Sequence, residues 1–133
     1  MTDLPELYFR VRENGAAVFR ISTENRERRI EMEQIAVVNT NRGDFKALGD
    51  TTLNDAEETV IANWMKARQA VLAARSMEDI HRSIDLLNLT AHWAQTKASD
   101  DQLEQVTDDL LMAMHDLRNV LVRKKADRLS KAR

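Results

Sequence analysis

Hydrophobic and polar residues alternate through "LYFRVRENGAAVFRIS" (Leu7–Ser22), and from about residue 55 they recur at spacings of three and four. In the first stretch Leu7, Phe9 and Val11 are apolar while Arg10 and Arg12 are charged, the period of two expected of a half-buried strand. Ala17, Val18, Phe19 and Ile21 form the next run. Asn14-Gly15 between the two runs signals a hairpin.

Face parity discriminates between loop lengths. A two-residue Asn14–Gly15 loop sets Phe9 opposite Arg20. A three-residue loop, Glu13-Asn14-Gly15, pairs Val11 with Ala17, Phe9 with Phe19 and Leu7 with Ile21, so all six share one face. Gly15 then takes the left-handed conformation of a bulged type I turn. Because a one-residue slip would turn an apolar set into water, the spacing predicts the longer loop. The opposite face then carries Tyr8, Arg10, Arg12, Val18 and Arg20, and Arg26, Arg28 and Arg29 follow.

A second hairpin comes next. Ile30 and Met32 alternate with Glu31 and Glu33, after which Ile35, Ala36, Val37 and Val38 run together. That change of phase predicts a bulge near Gln34, or a new strand there. "NTNRGD" (39–44) has turn chemistry, and Phe45 to Leu48 return.

Gly49-Asp50-Thr51-Thr52 marks the boundary to helix. Asn54 with Glu57 is an N-cap signal. It predicts a first helix to about Arg75, with Val60, Ile61, Trp64, Met65, Val71 and Leu72 inward. Ser76 with Asp79 predicts a second, striped by Ile80, Ile84, Leu87, Ala91 and Ala94. Ser99 with Gln102 predicts a third from Asp100 to about Leu129, striped by Leu103, Val106, Leu110, Ala113, Leu117 and Val120. These are heptad-like seams. The short "KASD" connection makes helices two and three an antiparallel pair.

Each of those two helices carries a second apolar stripe: Leu86, Leu89 and Trp93 on one, Leu111, Met114 and Leu121 on the other, with Leu129 further along. One stripe serves the partner helix. The other must meet the first helix, the sheet or a second subunit.

The expected architecture is therefore α+β: an N-terminal antiparallel sheet of three or four short strands in two hairpins, then three helices with a long antiparallel helical hairpin. At 133 residues the chain suits one domain, β-rich over 1–50 and helical over 53–133. It contains no cysteine, so disulfides, thiolate zinc sites and a cysteine nucleophile are excluded. No signal-peptide pattern and no long apolar run appear, and a cytoplasmic protein without membrane attachment is expected.

Charge is uneven. Residues 118–133 hold seven basic residues against one acid, a net of +6; residues 1–117 hold 13 basic against 21 acidic, a net of −8. Cations at the end of helix three and Asp100, Asp101 and Glu104 at its start suit the helix dipole.

Chemical motifs are sparse. Glu78 and His81 form a single Glu-x-x-His, where a carboxylate-bridged metal bundle needs two. His81 with Asp85 is also an ordinary surface pair. No phosphate loop, nucleophile elbow or zinc signature occurs. The pattern thus points to a non-enzymatic interaction or regulatory protein without a cofactor, which self-associates through its helices, a dimer being favoured, or docks on another protein. The interface residues are Leu86, Leu89, Trp93, Leu111, Met114, Leu121 and Leu129. A second reading is a nucleic-acid-associated protein using Tyr8, Arg10, Arg12 and Arg20 on the sheet and Arg123, Lys124, Lys125 and Arg128 on the last helix. The weakest is a small metal-dependent enzyme centred on Glu78 and His81.

Overall fold

The computed structural model describes residues 6–22 and 29–132. Four antiparallel strands come first: β1 (Leu7–Arg12), β2 (Gly15–Ser22), β3 (Glu31–Asn39) and β4 (Asp44–Ala47). They lie in chain order, so β2 and β3 are central and β1 and β4 are the edges. Two helices follow, α1 (Asp55–Thr96) and α2 (Asp100–Lys131). The expected α+β order holds, but there are two helices after the sheet rather than three. The segment from Asp55 to Thr96 contains no glycine or proline. Ser76 and Asp79 resemble a cap only where a helix is otherwise interrupted, and a strong run of helix formers carries through them.

The chain divides into two compact units, Met1–Asp79 and Ile80–Arg133. In the first, the start of α1 lies on one face of the sheet. Ile61 and Met65 from the helix are buried with Leu7, Val18, Ile35, Ala36 and Val38 from the strands. Phe9, Phe45, Leu53 and Trp64 pack around them, and the Phe9 and Trp64 rings stack with centroids 4.6 Å apart. Val60 and Val71, expected inward, are exposed instead. The sheet is covered by the turn-by-turn stripe of Ile61, Met65 and, partly, Leu72.

The first hairpin differs from its expected register. Leu7 pairs with Arg20, Phe9 with Val18, Val11 with Ala16 and Arg12 with Gly15. The loop is therefore the two residues Glu13 and Asn14, and the apolar residues of β1 and β2 are not all on one face. Leu7, Phe9, Val18 and Arg20 share the helix-facing side, while Tyr8, Arg10, Ala17 and Phe19 share the other. Parity failed because β2 is central and apolar on both sides: every residue from Gly15 to Phe19 is buried.

Gly15 is explained by crowding. A Cβ there would run into the Val38 carbonyl oxygen of the neighbouring strand. The left-handed glycine of this end of the sheet is Gly43, at φ 77°, in the turn between β3 and β4. Asn14 ties the two loops together: its carbonyl accepts from the Thr40 N–H at 2.9 Å and from the Thr40 hydroxyl at 3.1 Å. Gln69 of α1 then donates to the Thr40 carbonyl at 3.0 Å.

The bulge expected near Gln34 is present. Val18 pairs with Ala36 but Phe19 pairs with Gln34, which leaves Ile35 as the extra residue. Ile35 is fully buried, and its carbonyl accepts from Leu48 N–H at 3.0 Å.

In the second unit, residues 97–99 connect the end of α1 to α2. The Ser99 hydroxyl accepts from Gln102 N–H, and the Gln102 side chain accepts from Ser99 N–H, the reciprocal cap expected of these residues. Among the described residues, no helix is long and apolar enough to cross a membrane.

Candidate functional site

The second unit is unusual in what it leaves uncovered. Half-buried side chains cluster near the turn: Trp93 and Ala94 on α1, Leu103, Val106 and Leu110 on α2. Thr90, Trp93, Val106, Asp109 and Leu110 line a shallow groove of about 460 Å³ there. Away from the turn the seam side chains are less covered. Ile84 and Leu87 of α1 and Leu117 and Val120 of α2 carry the heptad spacing of a closed hairpin, yet all four are exposed. From Leu111 to Ala132 every side chain is exposed.

The second stripe is barer still. Leu86 is 64% and Leu89 65% exposed. Leu111, Met114, Leu121 and Leu129 are also exposed, and α2 contains no buried residue. On α2 the stripe through Leu111, Met114 and Leu121 lies about 100° around the helix from the seam through Leu110, Ala113 and Leu117, one residue's rotation. Trp93 differs from the rest of its stripe because it is half-buried at the turn. Sequence reasoning assigned Ile84, Leu87, Leu117 and Val120 to an internal seam and so did not count them as accessible. Their spacing identified them as apolar faces, but spacing alone does not say where a seam closes.

The basic side chains are distributed differently from expectation. Tyr8, Arg10 and Arg12 share the outer face of the sheet, but Arg20 points to the helix side. There its guanidinium donates to both carboxylate oxygens of Glu57, at 2.8 and 2.9 Å, and lies 3.5 Å from Glu33. The partner of Arg20 was the residue sequence reasoning missed: Glu57 was recognised only as a capping side chain. It does both. Asn54 N–H donates to Glu57 Oε1 at 3.1 Å, and Glu57 N–H donates to Asn54 Oδ1 at 2.8 Å. The hydrogen bonds from Arg20 hold the Glu57 carboxyl below its ordinary pKa against an opposing push from burial, with the Asn54 bond adding to the lowering. The same pairing raises Arg20.

On the outer face, the Arg10 guanidinium sits 4.5 Å from the centroid of Phe19, and Tyr8 lies tilted against the same ring at 6.3 Å. This is a covered aromatic, with Arg10 supplying part of the cover. Arg123, Lys124, Lys125 and Arg128 are exposed on the last turns of α2. Arg29 is exposed just before β3, whereas Arg26 and Arg28 lie outside the described residues.

Glu78 and His81 are both exposed on α1. His115 lies 3.5 Å from Asp116 and 3.3 Å from the Asn119 amide, all on the surface of α2. Among the described residues, no group of three or more histidine or carboxylate side chains is placed to hold a metal ion. No family model matches the chain, and neither a curated protein nor a solved structure matches it.

Proposed function

We propose that this chain is a non-enzymatic interaction protein that associates with a second copy of itself through the helices of residues 80–133. One observation carries the reading: apolar side chains at helical spacing on both α1 and α2 stay half to two-thirds exposed, including Leu86, Leu89, Leu111 and Leu121. With Ile84, Leu87, Leu117 and Val120 they form apolar strips along both helices, and an extended exposed apolar surface of this kind marks an interaction site. Roughly 800 Å² from each partner suffices for a stable interface. Water contact with such a surface is unfavourable, and a second copy supplies the same kind of surface in return.

Sedimentation of the full chain at roughly tens of micromolar, well above the Kd of an interface worth about 8 kcal/mol, tests this. A dimer is expected. Leu89→Asp with Leu121→Asp is expected to return it to a monomer with unchanged helix content. A wild-type monomer at that concentration overturns the proposal.

A further inference from the structure

The charge on α2 is as unevenly placed as its apolar surface. From Asp100 to Asp109 the helix carries five acids (Asp100, Asp101, Glu104, Asp108 and Asp109) and no base. From Arg118 to Lys131 it carries six bases against Asp127 alone. The formal charges are thus −5 and +5 at opposite ends of a helix about 48 Å long. The helix dipole accounts for charge within the first and last turns only. Here acids extend through almost three turns and bases through nearly four.

The arrangement is unfavourable within one copy. Asp100 and Glu104, Glu104 and Asp108, and Lys124 and Arg128 are like charges at i,i+4, where they repel. Among the described residues no salt bridge relieves any of these α2 groups. The stretch of α1 in the same unit offers no compensation, because Ile80–Thr96 contains one arginine, Arg82, and one acid, Asp85.

We infer that the second copy docks α2 against α2 in antiparallel fashion, about a two-fold axis near His115 and Asp116. This rests on the self-association proposed above and specifies its geometry. Antiparallel docking lays the acidic start of each α2 beside the basic end of the other, twice by symmetry. The apolar stripe centred on the same point, Leu111, Met114 and Leu121, becomes the dry centre of the contact. Parallel docking stacks five acids on five acids and a net +5 on a net +5, which like-charge repulsion opposes.

Because the chain has no cysteine, the orientation is readable by cross-linking. Thr107→Cys and Val122→Cys lie on the same side of α2 as Leu111, on opposite sides of the axis, and too far apart for a short bismaleimide to bridge within one helix. The two full-length variants, one carrying a size tag, are mixed and allowed to exchange. The 107–122 product is expected to exceed either self-linked product by on the order of tenfold. Predominant 107–107 and 122–122 products in a protein that sediments as a dimer overturn the antiparallel geometry while leaving self-association standing. A dimer without any α2 cross-link overturns α2 as the contact. A monomer removes both proposals. As a second readout, the dimer Kd is expected to rise about tenfold between 0.1 M and 1 M salt, as the screening length falls from about 10 Å to about 3 Å. A Kd unmoved by salt overturns the electrostatic basis.

Discussion

Ile61 and Leu89 belong to one unbroken helix, and water reaches them very differently. Ile61 is fully buried against the sheet, whereas Leu89 is 65% exposed. Both sit in the three-four spacing that marks an amphipathic helix. The difference lies in what each unit places opposite. Beside Ile61 stand two central strands with Val18, Ile35, Ala36 and Val38 on the facing side. In the Ile80–Arg133 unit there is only another helix, and half-burial is confined to side chains close to the turn. An apolar stripe therefore specifies that something must cover it, without specifying that the cover comes from the same chain.

The largest expected effect contrasts these two positions directly. Ile61→Ala removes a fully buried side chain and should cost about 3 kcal/mol of unfolding free energy. Leu89→Ala, measured in dilute protein, should change it by no more than about 0.5 kcal/mol. Trp64 belongs to the first unit and Trp93 to the second, so urea denaturation is followed by Trp64 fluorescence in a Trp93→Phe background for Ile61→Ala and by Trp93 fluorescence in a Trp64→Phe background for Leu89→Ala, each substitution being read in its own unit. Equal losses would show that the two stripes are equally covered.

Gly15 gives a smaller test within the sheet. Its Cβ-free backbone lies against the Val38 carbonyl, so Gly15→Ala and Gly15→Asn should both destabilise, by about 1–3 kcal/mol. A left-handed turn position would instead tolerate asparagine better than alanine. Preserved stability in the asparagine variant, by the same denaturation assay, would return this residue to the turn.

The smallest effect concerns Glu57. Glu57→Gln keeps a capping side chain but removes the charge that faces Arg20, and at pH 7 it should cost about 1 kcal/mol, since the arginine is partly in water. The folded-state pKa of Glu57 is lowered. Its stabilisation is therefore complete above the unfolded value near 4.3 and is lost as pH falls through the lower folded value. Denaturation curves of the wild type and the variant should differ at pH 7 and converge in acid. A gap that persists below the folded value would mean that charge is not its source.

The order of strands and helices was legible because local chemistry agreed with the fold. The shift of phase before Ile35 announced a bulge, and the Ser99–Gln102 and Asn54–Glu57 pairs announced helix starts that are present. The loop of the first hairpin and the pairing of Arg20 were not legible, and both depend on distant residues. The first loop was misjudged because parity assumes one wet face, whereas β2 is buried on both sides. Arg20 can face the helix only because Glu57, far along the chain, is there to meet it. The helix count was misjudged because Ser76 offers a cap where nothing breaks the helix. In the candidate interface, Leu86, Leu89, Leu111 and Leu121 were recognisable as surplus, while the exposure of Ile84 and Leu117 depends on how far one helix covers the other, which spacing does not encode.

The bulge at position 35 absorbs one extra residue without changing which way the front of β3 looks. Downstream of it Ala36 and Val38 stand on the helix side with Val18 and Ala16; upstream, Glu33 stands there opposite Arg20, and Met32 turns outward beside Ile21. Deleting Ile35 would close the bulge into a regular ladder, with Phe19 still opposite Gln34, Arg20 still beside Glu33 and Met32 still outward. The loss would fall on the core and on the strand's other edge, because a fully buried side chain and the carbonyl that receives Leu48 N–H would go together, whereas shortening β3 at any paired residue beyond the bulge would turn the faces over.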